Sequence, residues 1–288
     1  MTIGSAAGLA AGRLAKYSAS PALDAEVLLS YVLKKDRAWL LAHDQNRLPL
    51  LSQLRYRWLI RRRRQGIPVA YLTHSKEFYG RPFYVNRHVL IPRPETELLL
   101  EQALGTIRAN SSIEKVIDVG TGSGCMAVTL ALEAPAIKVM ATDISPAAIS
   151  LARRNAARYG LTDRLTFRRG HLLEPLITAG RSLSNDCLLV ANLPYLRPAE
   201  VKDELRFEPR LALDGGADGL TCYRELLTQL RAVPQLQRPG WLVFEIHPPT
   251  AGSLVQLVKD VFPGIQVSVK NDYAGWPRVL SAHLAMNN

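Results

Sequence analysis

The chain has 288 residues, enough for one large domain and a second small one. Its 48% hydrophobic and 21% charged residues form no run approaching eighteen consecutive apolar positions, so no membrane-spanning helix is expected, and the net charge of +11, much of it dispersed, reads first as solvated surface and second as a surface for RNA or an acidic protein. Three widely spaced cysteines (Cys125, Cys187, Cys222) fit neither a disulfide framework nor a zinc site, so a reducing, cytoplasmic setting without a bound metal is expected.

The N-terminal stretch Met1–Ser18 has no basic region ahead of its apolar residues and does not read as a secretory signal. From about Ala6 to Gln65 the chain reads as helices broken by turns. Leu23, Val27, Leu28 and Tyr31 recur at helical spacing behind Ser20 as cap and Pro21 in the first turn. Leu50 to Arg64 forms another helix with Leu51, Leu54, Trp58 and Leu59 expected on one side, and Gly66-Ile67-Pro68 ends it. Its Arg61-Arg62-Arg63-Arg64 run, preceded by Arg55 and Arg57, reads first as a solvated helix end and second as an anion-binding surface. Glu77 to Val85 then reads as a β-hairpin turning around Gly80-Arg81-Pro82, and Pro94 opens a helix that runs to about Ile107.

From Lys115 the pattern alternates strand and helix. Strands are expected at Lys115–Val119, Lys138–Thr142, Leu165–Arg169, Cys187–Ala191, Trp241–Ile246, Gln266–Lys270 and Arg278–Ala285. The last two are joined only by Asp272 to Pro277, too short for a parallel crossover, so they must pair antiparallel. A mostly parallel α/β sheet with one antiparallel terminal hairpin is the class I methyltransferase form of the doubly wound fold, here preceded by a small N-terminal all-helical domain.

The first of these strands runs into Asp118-Val119-Gly120-Thr121-Gly122-Ser123-Gly124 and a helix, a loop whose glycines let backbone approach a ligand closely. Cys125 stands where a dinucleotide fingerprint would place its third glycine, and Asp118 suits a ligand carrying an ammonium and a sulfonium. Asp143 closes the second strand about twenty residues on, where an acid can hold two ribose hydroxyls, while Ser145 is free to cap the next helix. The pair favours S-adenosylmethionine over a nicotinamide dinucleotide.

Asn192-Leu193-Pro194-Tyr195 lies at the carboxyl end of the fourth strand, which should flank the first across the ligand-binding crevice. These residues suit methylation of a planar nitrogen. Such a nitrogen is a poor nucleophile, and a site helps it by accepting both N–H bonds: one at the Asn192 side-chain oxygen, one at the backbone carbonyl of Leu193 or Pro194. Tyr195 can stack on the planar group. Such a turn could also be an ordinary strand-to-loop connection.

Ile91-Pro92-Arg93-Pro94-Glu95-Thr96-Glu97, the Asp118–Gly124 loop, Asn192–Tyr195 and Arg206–Leu213 leading to Asp214–Leu220 together resemble the release-factor glutamine methyltransferases (HemK/PrmC type) over most of the chain. The resemblance implies methylation of the glutamine of the Gly-Gly-Gln motif in peptide chain release factors, with S-adenosylmethionine as donor. It implies residues 1–74 as a release-factor docking domain, 75–92 as a hairpin linker and 93–288 as the methyltransferase domain. It also implies substrate contacts at Arg93, Glu95 and Asn192 to Tyr195, of which Asn192, Pro194 and Tyr195 are catalytic. The cofactor set is Asp118, Gly120, Thr121, Gly122, Gly124, Asp143, Ile144, His171 and Asn192. The sequence departs from the family at three places: Leu193 replaces the first proline of Asn-Pro-Pro-Tyr, His171 stands where an acid is usual, and Glu245 to Pro249 lacks the usual glycine and glutamine. Asn-Leu-Pro-Tyr also occurs in ribosomal RNA adenine dimethyltransferases, so an RNA adenine-N6 substrate stays open. So do a ribosomal-protein glutamine and a non-catalytic binding protein that kept the fold.

Overall fold

The computed structural model describes residues 1–179, 186–233 and 239–284. The chain divides into two compact units, Met1–Ser75 and Lys76–Asn288.

The first unit is helical: α1 (Ile3–Leu14), α2 (Pro21–Leu33), α3 (Arg37–Ala42), α4 (Leu50–Arg64) and α5 (Val69–Thr73). Thr2 and Ser5 close a capping box on α1, and Lys34 ends α2 in the left-handed conformation with its N–H on the Ser30 carbonyl. Ser20 precedes α2 without a side-chain cap; its own N–H is held by Ser18, whose hydroxyl donates to Asp24. The buried face of α2 is Ala25, Leu28, Leu29 and Val32, so of the expected stripe only Leu28 is fully inside. Helix α4 differs more. It buries Tyr56, Leu59 and Ile60, and it exposes Leu51 by 82%, Leu54 by 62% and Trp58 by 57%. One turn further on, Arg63 pairs with Asp24 at 2.7 Å. Within the arginine run, Arg62 lies over the Trp58 ring and Arg64 over Tyr17.

The second unit opens with a hairpin, β1 (Ser75–Phe78) and β2 (Arg81–Tyr84). Tyr79 and Gly80 both take positive φ and form its two-residue turn, so Arg81 and Pro82 belong to the second strand rather than to the turn. Phe78 and Phe83 are buried in the core of this unit. The fully buried Asn155 carboxamide accepts from Tyr84 N and donates to the carbonyls of Tyr84 and Ser123, which ties the hairpin to the glycine loop.

Beyond the hairpin come α6 (Glu95–Ala109), β3 (Lys115–Val119), α7 (Cys125–Glu133), β4 (Lys138–Asp143), α8 (Pro146–Arg158), β5 (Leu165–Arg169), α9 (Glu174–Ile177) and β6 (Cys187–Ala191). They are followed by α10 (Thr221–Ala232), β7 (Trp241–Glu245), α11 (Ala251–Val261), β8 (Val267–Asn271) and β9 (Pro277–His283). The sheet order is β5-β4-β3-β6-β7-β9-β8, parallel except that β9 runs antiparallel to both neighbours. Asp272 makes the short final connection, accepting from Ala274 N, Trp276 N and Arg278. The expected end of the last strand, Ala285, lies outside the described residues. Alternate residues of the central strands feed two apolar layers: Val116 and Leu188 pack with α6 to α8, and Ile117 and Leu189 pack with α10 and α11.

Candidate active site

Strand β3 has β4 on one side and β6 on the other, so the connections leaving β3 and β6 diverge and open a crevice at their carboxyl ends. The glycine loop enters it from β3, held to the end of β4 by Gly120 N and Thr121 N donating to the Thr142 carbonyl. Gly120 has φ of +76° and packs under Leu193, whose Cδ2 stands 3.1 Å from where a Cβ would be. Leu193, the departure from Asn-Pro-Pro-Tyr, is thus buried against the loop, where its bulk fills the space over a glycine.

A cavity in the crevice is lined by Asp118, Gly120, Thr121, Gly122, Asp143, Ile144, His171, Asn192, Leu193, Pro194 and Arg93. Gly124 is not part of the lining; it sits in the left-handed conformation at the start of α7, with its N–H on the Thr121 carbonyl. Asp118 is 3% exposed and accepts from the Thr121 hydroxyl at 2.6 Å; burial, with the like-charged Asp143 adding to it, pushes its carboxyl up to about 7. Asp143 accepts from Gly122 N and Ser145 N, while burial raises its pKa against those two bonds. Ser145 caps α8 through Ala148 N. Ile144 presents an exposed apolar side chain, and the His171 ring meets Glu225 at 2.9 Å. The donor set fits S-adenosylmethionine. A buried acid in want of a cation suits the ammonium, a carboxylate at a strand end suits ribose hydroxyls, and an apolar side chain suits the adenine face.

A second cavity adjoins the first and shares Arg93, Asn192 and Leu193 with it. Glu95 and Tyr195 line this one, with His247 and Arg278. Asn192 stands in the wall common to both. Its Nδ2 donates to Thr96 Oγ1 at 3.0 Å, and among the described residues no donor is bonded to Oδ1, which can accept. The Tyr195 ring stacks on His247 with centroids 5.1 Å apart, and its hydroxyl, raised in pKa by burial, donates to Glu245 Oε1 at 3.4 Å. Leu193 N donates to the Tyr223 hydroxyl, which in turn donates to the Glu245 carbonyl at 2.6 Å.

The Asp214–Leu220 segment wraps the backbone of the motif: Leu196 N donates to Leu213 O and Gly215 N to Leu196 O. Gly219, at φ of +77°, comes so close that a Cβ would stand 2.4 Å from the Tyr195 carbonyl oxygen. The Pro194 carbonyl oxygen is likewise turned onto Gly215. Arg93 is anchored by an ion pair to Glu208, a carboxylate 3% exposed whose other oxygen accepts from Ile91 N at 3.0 Å.

Sequence reasoning brought the Asn192 and Asp118 regions together but assigned no role to Thr96, Glu208, Tyr223 or Glu245. Glu208 and Thr96 lie inside the Arg206–Leu213 and Ile91–Glu97 segments. The signal for Glu245 was an acid closing an otherwise apolar strand, Trp241 to Phe244.

Comparison with known proteins identifies the chain's relatives. Residues 8–73 match the PrmC N-terminal domain and residues 110–204 a methyltransferase domain. A release factor glutamine methyltransferase of Moorella thermoacetica is 40% identical over 98% of this chain and 99% of its own length. The protein of the same name from Bacillus subtilis is 38% identical over 91% of each chain. Among solved structures, the N-terminal domain of human METTL16 matches with a TM-score of 0.52 at 14% identity, covering 75% of this chain and 89% of that one. The same domain in complex with SAH matches with a TM-score of 0.50 at 14% identity over 80% and 94%. These structural likenesses speak to the fold alone. With two near full-length relatives of one name, at 38% and 40% identity, the chain belongs to the release factor glutamine methyltransferase family.

Proposed function

We propose that this protein methylates the side-chain nitrogen of the glutamine in the Gly-Gly-Gln motif of peptide chain release factors, using S-adenosylmethionine. The observation that carries the reading is the Asn192 carboxamide, held by Thr96 with its oxygen able to accept, in the wall between a cavity suited to the donor and a second cavity.

S-adenosylmethionine, when bound, supplies an electrophilic methyl group on a sulfonium. Asp118, Asp143, Ile144 and the Gly120–Gly122 backbone would hold it on one side of Asn192. On the other side Asn192 Oδ1 accepts one N–H of the glutamine amide. The backbone carbonyl of Leu193 or Pro194 is the second acceptor. Two acceptors in one plane turn the nitrogen lone pair toward the methyl and stabilise the positive charge that grows on nitrogen. The N–C bond forms as the S–C bond breaks. The nitrogen, now acidic, loses one proton to water without a strong base. Tyr195, stacked on His247, lines the second cavity together with Arg93 and Glu95, where all three can meet the substrate.

Residues 1–74 dock the release factor, 75–92 link, and 93–288 carry the chemistry. An RNA adenine substrate is less well supported: Leu193, its chief sequence argument, is used in packing on Gly120. Among the described residues no helix is long and apolar enough to cross a membrane, and a cytoplasmic location fits a translation substrate. Incubation with labelled methyl donor and a release factor, followed by peptide mapping, tests the reading. Label on RNA, or on a release-factor residue other than that glutamine, rejects it.

A further inference from the structure

We infer that the tip of the β8–β9 hairpin, carrying Tyr273 and Trp276, is a docking surface for an apolar patch of the release factor beside its Gly-Gly-Gln loop. The inference rests on the proposed polypeptide substrate, and it concerns contacts outside the cavities that hold the reacting groups.

The sheet topology puts this tip at the mouth of the site. The crevice opens at the carboxyl ends of β3 and β6, and β7 runs parallel to β6. Strand β9 runs antiparallel to β7 with Val279 opposite Glu245, so β9 begins where β7 ends. Ile246 N donates to the Arg278 carbonyl and continues that pairing past the end of β7. The Asp272–Trp276 turn therefore leaves the sheet on the same edge as the crevice. Arg278, two residues beyond the turn, lines the second cavity with Asn192 and Tyr195.

The turn is held in one shape. Asp272 N donates to the Trp276 carbonyl at 2.7 Å, and Gly275 N, at a φ of +84°, donates to the Asp272 carbonyl at 3.0 Å. The Asp272 carboxylate accepts from Ala274 N and Trp276 N with one oxygen and from Arg278 Nε with the other, each at 2.9 Å. One side chain thus fixes both the turn and a guanidinium of the cavity wall. On this frame Tyr273 is 97% exposed and Trp276 59%. Neither is among the residues lining the two cavities.

Side chains so exposed contribute little to folding. Against a partner they would contribute much, because aromatic rings bury a large area with few torsions to freeze, and a preorganised support lowers the cost of docking. The chemistry of the tip selects the partner. Asn271 to Pro277 contains no lysine or arginine, and its one charged residue, Asp272, is paired with Arg278. Base stacking by aromatics is ordinarily accompanied by cations for the phosphates, which this segment lacks. The fit is to an apolar protein surface with acceptors for the Tyr273 hydroxyl and the Trp276 N–H. A folded protein whose loop reaches into the second cavity must pass its flanking surface over the rim, and the tip stands on that rim.

The test compares wild type with Tyr273→Ala, Trp276→Ala, the double alanine variant and the Tyr273→Phe/Trp276→Phe variant. Readouts are kcat and KM on a release factor and on a short peptide containing Gly-Gly-Gln, calorimetric affinity of the S-adenosylhomocysteine-loaded enzyme for the release factor, and sedimentation of the enzyme alone. The double alanine variant should raise KM for the release factor about tenfold or more and weaken the calorimetric affinity to match, with kcat within about twofold. Its kinetics on the peptide and its S-adenosylhomocysteine affinity should stay within about twofold, because neither ligand reaches the tip. The double phenylalanine variant should keep most of the affinity. Unchanged KM and affinity for the release factor in the double alanine variant overturn the inference. An equal rise in KM for the peptide overturns it too, by placing the rings inside the substrate cavity. Self-association of wild type that the double alanine variant loses, with release-factor affinity unchanged, assigns the tip to a second copy of this chain instead. The calorimetric arm needs no turnover. A wild type that binds the release factor through the tip and leaves it unmethylated therefore rejects the proposed function and keeps the docking surface.

Discussion

Asp118→Asn should make the protein more stable and a poorer binder of its cofactor, with both effects depending on pH. Asp118 is buried beside the like-charged Asp143, and its pKa in the free protein rises from 3.8 to about 7. The folded carboxyl holds its proton where the unfolded one does not, so its contribution to stability falls as pH climbs from about 4 to 7. Removing the ionisable group lifts that penalty, and the asparagine variant should melt above wild type at pH 8. Cofactor binding has the opposite sign, because the ammonium needs the ionised acid. With a pKa of about 7, the ionised fraction is about 3% at pH 5.5 and half at pH 7, so affinity should weaken about 16-fold between them. Titration calorimetry of S-adenosylhomocysteine across this range measures it. Asp143, also raised by burial, leaves a smaller residual slope in the variant. An Asp118→Asn protein with the full wild-type slope, or a wild type with none, would refute the assignment of the ammonium to Asp118.

Asn192→Ala removes an acceptor used as charge develops, and should lower kcat by about 10²- to 10³-fold while S-adenosylhomocysteine affinity stays within about twofold. Glu208→Ala strips Arg93 of its ion pair and Ile91 N of its acceptor, and should cost about 2–3 kcal/mol in denaturant unfolding. Gly219→Ala forces a methyl against the Tyr195 carbonyl at a positive φ; it should cost about 1–3 kcal/mol and lower kcat more than it changes cofactor affinity. On α4, Leu59→Ala should cost about 2–5 kcal/mol, whereas Leu51→Ala and Leu54→Ala should each stay within about 0.5 kcal/mol.

The parallel sheet was legible because its strands are short apolar runs with both faces covered, and the six-residue link Asp272 to Pro277 left no topology but a hairpin at the end. The inward side of α4 was not legible. Leu51-Leu54-Trp58 and Tyr56-Leu59-Ile60 both repeat at helical spacing, and periodicity finds a stripe without saying what it faces. Packing against α2 settles it, through the cluster of Tyr56, Leu59 and Ile60 with Ala25, Leu28 and Leu29, and that contact joins two helices. The cofactor acids and the Asn192 motif could be read because each lies within a few residues of a strand end. Thr96 could not, since its partner Asn192 is 96 positions away and the bond depends on how α6 packs against β6. Glu245 is hidden for the same reason: its partners come from α10 and the loop after β6. Leu193 was readable as a departure but not as a packing residue, because its contact is with a glycine that offers no side chain to pair with.

The most direct measurement is the mass of the release-factor peptide that carries Gly-Gly-Gln after incubation with enzyme and S-adenosylmethionine. The account predicts one added methyl group on the glutamine side chain with wild type and essentially none with Asn192→Ala. An unmodified glutamine with wild type, or equal modification by Asn192→Ala, would contradict it.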